Sequence, residues 1–186
     1  MRKEMLNRLK RKYIFVDIDG TLAEYRFNNH VSAKDGSGNG QTMEEIEDHV
    51  FLKSRPLKSV IKTLKKAKHD GIWICGALAS PIELEDKIVW LKENCKEIEF
   101  NGYFWWVPEE YWKDFCEYYN TEEKECYIST MYGQIHRDLK NDTWNWIEEH
   151  NMMKLDKIVF IDDRLEYVRY AEEQGVESYH ISSFIK

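Results

Sequence analysis

Tyr13-Ile14-Phe15-Val16-Asp17-Ile18-Asp19-Gly20-Thr21 is a short apolar run that ends in two carboxylates and a glycine. A run of this length, continuous in apolar character and closed by turn residues, reads as a strand buried on both faces. Side chains alternate along an extended chain, so Asp17 and Asp19 point to the same side while the strand continues, and Gly20 permits a sharp exit. Two acids at one strand end can hold a hard divalent cation. One of them can also attack phosphorus while the other handles a proton. Asp and Gly are ordinary turn residues as well, so the reading needs a second feature.

That feature lies far downstream, in Ile158-Val159-Phe160-Ile161-Asp162-Asp163-Arg164, again an apolar run that finishes in paired carboxylates. Parallel strands place such ends side by side. Between the two runs stands Lys140, 22 residues before Asp162 and just ahead of an expected helix, where it can bring a fixed positive charge to the same crevice. Lys154 and Lys157 are alternatives for that charge, and His30, His49 and His136 have no motif around them.

The rest of the chain alternates strand and helix patterns. Residues 23–42 lose periodicity and pass through Ser32 to Gly40, a loop composition, so a flap or minimal cap is expected over 23–50. Pro56 opens a helix with Leu57, Val60, Ile61 and Leu64 at helical spacing, and Gly71 ends it. Its lysines, Lys58, Lys62, Lys65, Lys66 and Lys68, read as a solvated face. Ile72 to Ala79 is the second buried strand. Ser80-Pro81-Ile82-Glu83 follows as a capping box leading into a helix through Leu84, Ile88 and Leu91.

Residues 101–130 hold a dense aromatic stretch, from Tyr103 to Tyr119, which serves either as a small lid that stacks on a substrate or as core. The helical spacing of Trp112, Phe115 and Tyr119 favours core. Asp142 caps a helix through Trp144 and Ile147, Leu165 to Gln174 forms another closed by Gly175, and Val176 to Ile181 is a last strand. The expected fold is α/β, a Rossmann-like parallel sheet with helices on both faces, in one domain spanning 1–186 with a small or minimal cap.

Composition narrows the partners. The chain has 186 residues, 42% of them hydrophobic, which suits one domain with a proper core. A formal net charge of -7 argues against a general nucleic-acid or acidic-membrane surface. No apolar segment reaches bilayer length, and the basic start, residues 1–12, lacks the apolar stretch of a signal peptide and reads as a solvated leader. Four cysteines, Cys75, Cys95, Cys116 and Cys126, show no paired spacing and fit reduced thiols in a cytoplasmic protein.

The ordered set Asp17-Ile18-Asp19-Gly20-Thr21, a strand-end hydroxyl, a lysine and then Asp162-Asp163 resembles the four motifs of the haloacid dehalogenase superfamily of phosphohydrolases. The resemblance implies a magnesium-dependent phosphomonoester hydrolase that acts through an aspartyl-phosphate. In it Asp17 is the nucleophile, and Asp19 protonates the leaving oxygen and later activates water. The Asp17 carboxylate, the Asp19 backbone carbonyl and Asp162 hold Mg2+, with Asp163 orienting the site or joining the ion's outer shell. Lys140 holds the phosphoryl group, and Thr21 and Ser80 contact it.

The strand-end hydroxyl is expected near Gly76-Ala77-Leu78, where none exists, so either Ser80 or a backbone N–H at the helix start takes the role. The dehalogenase branch typically lacks the second acid of the first motif, which this chain keeps. Asp86-Lys87-Ile88-Val89-Trp90-Leu91 is similar to a segment of 5'-nucleotidases. Asp19 to Ala23, Ile161 to Arg164 and Gly175 to Glu177 have counterparts in polynucleotide 3'-phosphatases. The acidic balance ranks a small phosphate ester, nucleotides included, above a polynucleotide. A metal- or phosphate-binding domain without turnover is the reading from a different class.

Overall fold

A computed structural model describes residues 2–24, 41–137 and 143–184, folded as an α/β layer structure. In chain order the elements are α1 (Arg2–Arg8), β1 (Tyr13–Val16), α2 (Met43–Glu47), α3 (Lys58–Lys66), β2 (Gly71–Ala77), α4 (Pro81–Asn94) and β3 (Gly102–Val107). They continue with α5 (Glu109–Tyr119), β4 (Tyr127–Thr130), β5 (Gly133–Arg137), α6 (Thr143–Glu149), β6 (Ile158–Asp162), α7 (Leu165–Glu173) and β7 (Glu177–His180). The strands make one seven-stranded sheet in the order β4-β5-β3-β2-β1-β6-β7. Every neighbouring pair is parallel except β4 with β5.

Alternation along the strands builds a core on each side of the sheet. Ile14 and Val16 of β1 and Val159 and Ile161 of β6 pack with Leu9 just after α1, Leu64 of α3, Leu84 of α4 and Trp112 of α5. Phe15, Cys75, Ile158 and Phe160 face the other way, against Trp144 and Ile147 of α6 and Ala171 of α7. Burial on both faces is why these strands read as unbroken apolar runs. From β1 the chain moves outward through β2, β3 and β5, then crosses back to β6 on the other side of β1. The order therefore reverses at β1, and the crevice at the C-terminal ends of β1 and β6 is the topological switch point, where open α/β sheets hold their ligands.

Several local expectations change. The leader is a helix, α1, because Met5 and Leu9 sit one turn apart and are buried against the core. Lys12 then ties the leader to β7, its Nζ 3.0 Å from Glu177 Oε2. Between 23 and 50 the described residues are not an open loop: Ala23 bridges Pro56, and the Leu57 N–H donates to the Leu22 carbonyl at 2.7 Å. Thr42 and Glu45 form the capping box of α2, and a 3-10 turn over Val50–Lys53 drops Phe51 into the core. The Ser- and Gly-rich stretch 32–40 lies outside the described residues, as does Asp142.

Helix α3 starts at Lys58, since Pro56 is engaged with Ala23, and it stops where Ala67 turns extended. Gly71 opens β2 instead of ending α3, and a Cβ there would lie 2.4 Å from the Trp73 ring. Within 101–130, β3 pairs with β2 and β5, and Trp105, Trp106, Trp112 and Phe115 are buried in the core, whereas Tyr118 is exposed.

Candidate active site at the ends of the central strands

The register of β1 and β6 aligns Val16 with Ile161, and the Asp17 N–H donates to the Ile161 carbonyl at 3.0 Å, one residue past the strand. Asp17 thus arrives beside Asp162. Ligand oxygens of Asp17, Asp162 and Asp163 all lie within 4.8 Å of one another, with Asp17 and Asp162 buried. Two backbone devices hold this arrangement. The Arg164 N–H donates to Asp162 Oδ1 at 2.8 Å. Gly20 has a φ of +72°, and a Cβ on it would meet Asp163 Oδ2 at 2.1 Å, so both its conformation and its lack of a side chain are needed.

A third device comes from β7. The His180 Nδ1 accepts the Ser182 N–H at 3.2 Å, which leaves Nε2 to donate to the Asp163 carbonyl at 2.7 Å.

Three carboxylates this close repel one another unless a cation neutralises them. All the donors are hard oxygens. A calcium shell with bonds of about 2.3–2.6 Å spans roughly 4.6–5.2 Å, and a magnesium shell with bonds of about 2.0–2.1 Å spans roughly 4.0–4.2 Å. Oxygens gathered within 4.8 Å of one another can share the shell of either ion. By chemistry and spacing these residues fit a hard divalent ion.

Asp19 is not part of that group. The Ile18 carbonyl accepts N–H groups from Thr21, Leu22 and Ala23, so the chain curls from Ile18 onward and leaves the strand. The Asp19 Oδ2 is instead 2.6 Å from Lys87 Nζ. Lys87 also donates to the Ala77 carbonyl at 2.7 Å and reaches Glu83 Oε1 at 2.9 Å, one turn back on α4. Its side chain is 1% exposed. Burial works against the ammonium, but Asp19 and Glu83 outweigh it and hold the Lys87 pKa above its usual value. Burial pushes the Glu83 carboxyl up, with Asp19 adding to the rise, while Lys87 and the Ala79 N–H pull it back.

The expected Ser80 capping box is altered by this pair. Ser80 Oγ accepts the Ile82 N–H at 3.2 Å, but Glu83 Oε2 accepts from Ala79, one residue ahead of the cap, because its other oxygen is engaged with Lys87.

Of the other expected site residues, Thr21 lies in the curl with a buried hydroxyl that takes no hydrogen bond among the described residues. Asp19 Oδ1 is in the same state. Gly76 flanks Asp17 from β2, where a Cβ would lie 3.8 Å from Asp17 Oδ1. Lys140 lies outside the described residues. Lys154 and Lys157 precede the start of β6, about 16 Å of strand away from Asp162, so neither serves the crevice.

Sequence reasoning missed Lys87, Glu83 and His180. For Lys87 a signal existed. It stands three residues after Leu84 and four before Leu91, on the apolar stripe of α4, with an acid four residues earlier, which is the pattern of a buried ion pair rather than a solvated lysine.

No protein-family model matches this chain, and no curated protein matches it. Among solved structures, the crystal structure of an uncharacterized protein from Corynebacterium glutamicum is similar at a TM-score of 0.34 and 14% identity, over 91% of this chain and 83% of that one. Among the described residues no helix is long and apolar enough to cross a membrane.

Proposed function

We propose that this chain is a phosphomonoester hydrolase that uses a divalent cation, magnesium by the resemblance, and acts on a small phosphate ester, nucleotides among the candidates. The observation that carries the reading is the meeting of Asp17 with Asp162 and Asp163 at the switch point, within 4.8 Å, beside a separately anchored Asp19. Asp17, Asp162 and the Asp19 backbone carbonyl would hold the ion, with Asp163 orienting them. The ion, when bound, offsets the charge of the phosphoryl group so that a carboxylate can approach it.

In this reading an oxygen of Asp17 attacks phosphorus. The bond to the leaving oxygen breaks, and a proton from Asp19 goes to that oxygen. Water then gives a proton to Asp19 and attacks phosphorus, which breaks the bond to Asp17, frees phosphate and restores both acids. Ser80 and Thr21 would offer hydroxyls to the phosphoryl oxygens, and Lys140 a positive charge. The formal charge of -7 favours a small substrate over a polynucleotide, and the free cysteines suit a reducing, cytoplasmic setting.

Hydrolysis of p-nitrophenyl phosphate is expected to require added magnesium and to fall by at least ~10³-fold in Asp17→Asn, the loss of a covalent nucleophile being larger than that of one proton-transfer group. One observation favours a second reading, a phosphate-binding domain without turnover: Gly76 puts no hydroxyl beside Asp17. Binding of inorganic phosphate with no hydrolysis of any ester in a broad panel would select it.

A further inference from the structure

An ammonium group has three protons to donate and no acceptor. Lys87 has three oxygens in reach: Asp19 Oδ2 at 2.6 Å, Ala77 O at 2.7 Å and Glu83 Oε1 at 2.9 Å. The ring of Phe51 closes a further side, its centroid 5.5 Å from Nζ. No proton is left for a phosphoryl oxygen. Two of the three partners belong to the scaffold, because Ala77 ends β2 and Glu83 is itself pinned by the Ala79 N–H at 2.7 Å. The position of Nζ is therefore set by β2 and α4, and Asp19 is the group that comes to it. That contact makes the two oxygens of Asp19 unequal, since Oδ2 is held while Oδ1 is buried and accepts no hydrogen bond among the described residues.

We infer that Lys87 is a positioning residue for Asp19: it holds Oδ2 in place so that Oδ1 faces the leaving-group oxygen and is the atom that gives and later takes the proton. The inference rests on the phosphohydrolase reading and deepens it by assigning the proton transfer to one atom. It also separates two jobs that a single lysine might be asked to do, because gripping the phosphoryl group falls to another cation.

The proton matters only when the leaving oxygen is a strong base. An alkoxide cannot depart without it, whereas p-nitrophenolate can. The test compares kcat/KM, which covers the steps through departure of the leaving group, for an alkyl phosphate and for p-nitrophenyl phosphate. The variant is Glu83→Gln combined with Lys87→Met, which removes one acid and one base together and leaves Asp19 in place.

The expected result is a loss of about 10²-fold or more on the alkyl ester, against less than about tenfold on the aryl ester, with inhibition by inorganic phosphate unchanged. Equal losses on both esters would overturn the role assigned to Lys87, as would phosphate inhibition that weakens in step. Should the variant not fold, the wild-type decides the matter by 15N NMR of the Lys87 ammonium. The signal is expected to stay in place on saturation with inorganic phosphate and magnesium, and a shift that tracks phosphate binding would overturn the inference. If the wild-type hydrolyses neither ester with magnesium, the phosphohydrolase reading itself fails, an outcome distinct from equal losses in an active enzyme.

Discussion

The two ends of strand that border the crevice are built on opposite electrostatic plans. At the ends of β1 and β6, three carboxylates converge within 4.8 Å and are held by backbone geometry. At the end of β2 and on α4, Lys87 is closed in by Asp19, Glu83 and a carbonyl, and the charges answer one another inside the protein. The first cluster gathers like charges at one point, which is where a cation would bind. In the second, each proton of the ammonium has an oxygen acceptor inside the protein, which is how a side chain is held still.

The sharpest way to break this contrast is through stability. Removing one member of a buried ion pair leaves its partner uncompensated and costs about 3–5 kcal/mol. Lys87→Met is expected to destabilise the protein by roughly that amount in urea unfolding, since Asp19 and Glu83 would both lose their shared partner. Asp163→Asn is expected to cost less than Lys87→Met in the absence of divalent ions, because it also relieves like-charge repulsion within the cluster. If Lys87→Met were neutral and Asp163→Asn strongly destabilising, the contrast between the two clusters would be the wrong way round.

A second comparison uses two glycines of similar conformation. Gly20 has φ +72° and a blocked Cβ position against Asp163, whereas Gly175 has φ +85° with nothing within 4 Å of a Cβ. Gly175→Ala should cost only the left-handed conformation, about 1–2 kcal/mol. Gly20→Ala adds a clash with a carboxylate of the acidic cluster, so it should cost more than Gly175→Ala and also weaken divalent-ion binding in calorimetry. Equal costs with unchanged ion affinity would mean that the close approach of Gly20 to Asp163 has no part in shaping the cluster.

The smallest effect belongs to the end of β2. Ser80→Ala removes an N-cap and should cost about 1 kcal/mol. Unchanged inhibition by inorganic phosphate would leave Ser80 as a cap alone, and weakened inhibition would add it to the substrate contacts.

These contrasts also explain what could be read in advance. The strands β1, β2 and β6 were legible because burial on both faces forces unbroken apolar runs, and acids at the end of such a run have only the crevice to enter. The parallel register that brings Asp17 to Asp162 followed from the alternation of strands and helices. Lys87 was not legible in the same way, because a charged residue on a helix is ordinarily solvated, and only its position on the apolar stripe and the acid four residues earlier set it apart. Helix α1 was hidden because Met5 and Leu9, the residues it buries, stand among many basic ones. The turn of His180 onto the Asp163 carbonyl depends on β7 lying next to β6, a neighbour relation that no local pattern carries.

The central claim is that two separated strand ends share one cation. Anomalous diffraction from crystals grown with Mn2+ in place of magnesium tests it directly. The account predicts one ion bonded at about 2 Å to carboxylate oxygens of both Asp17 and Asp162. No ion in that crevice, or an ion bonded to one of the two strands alone, would contradict it.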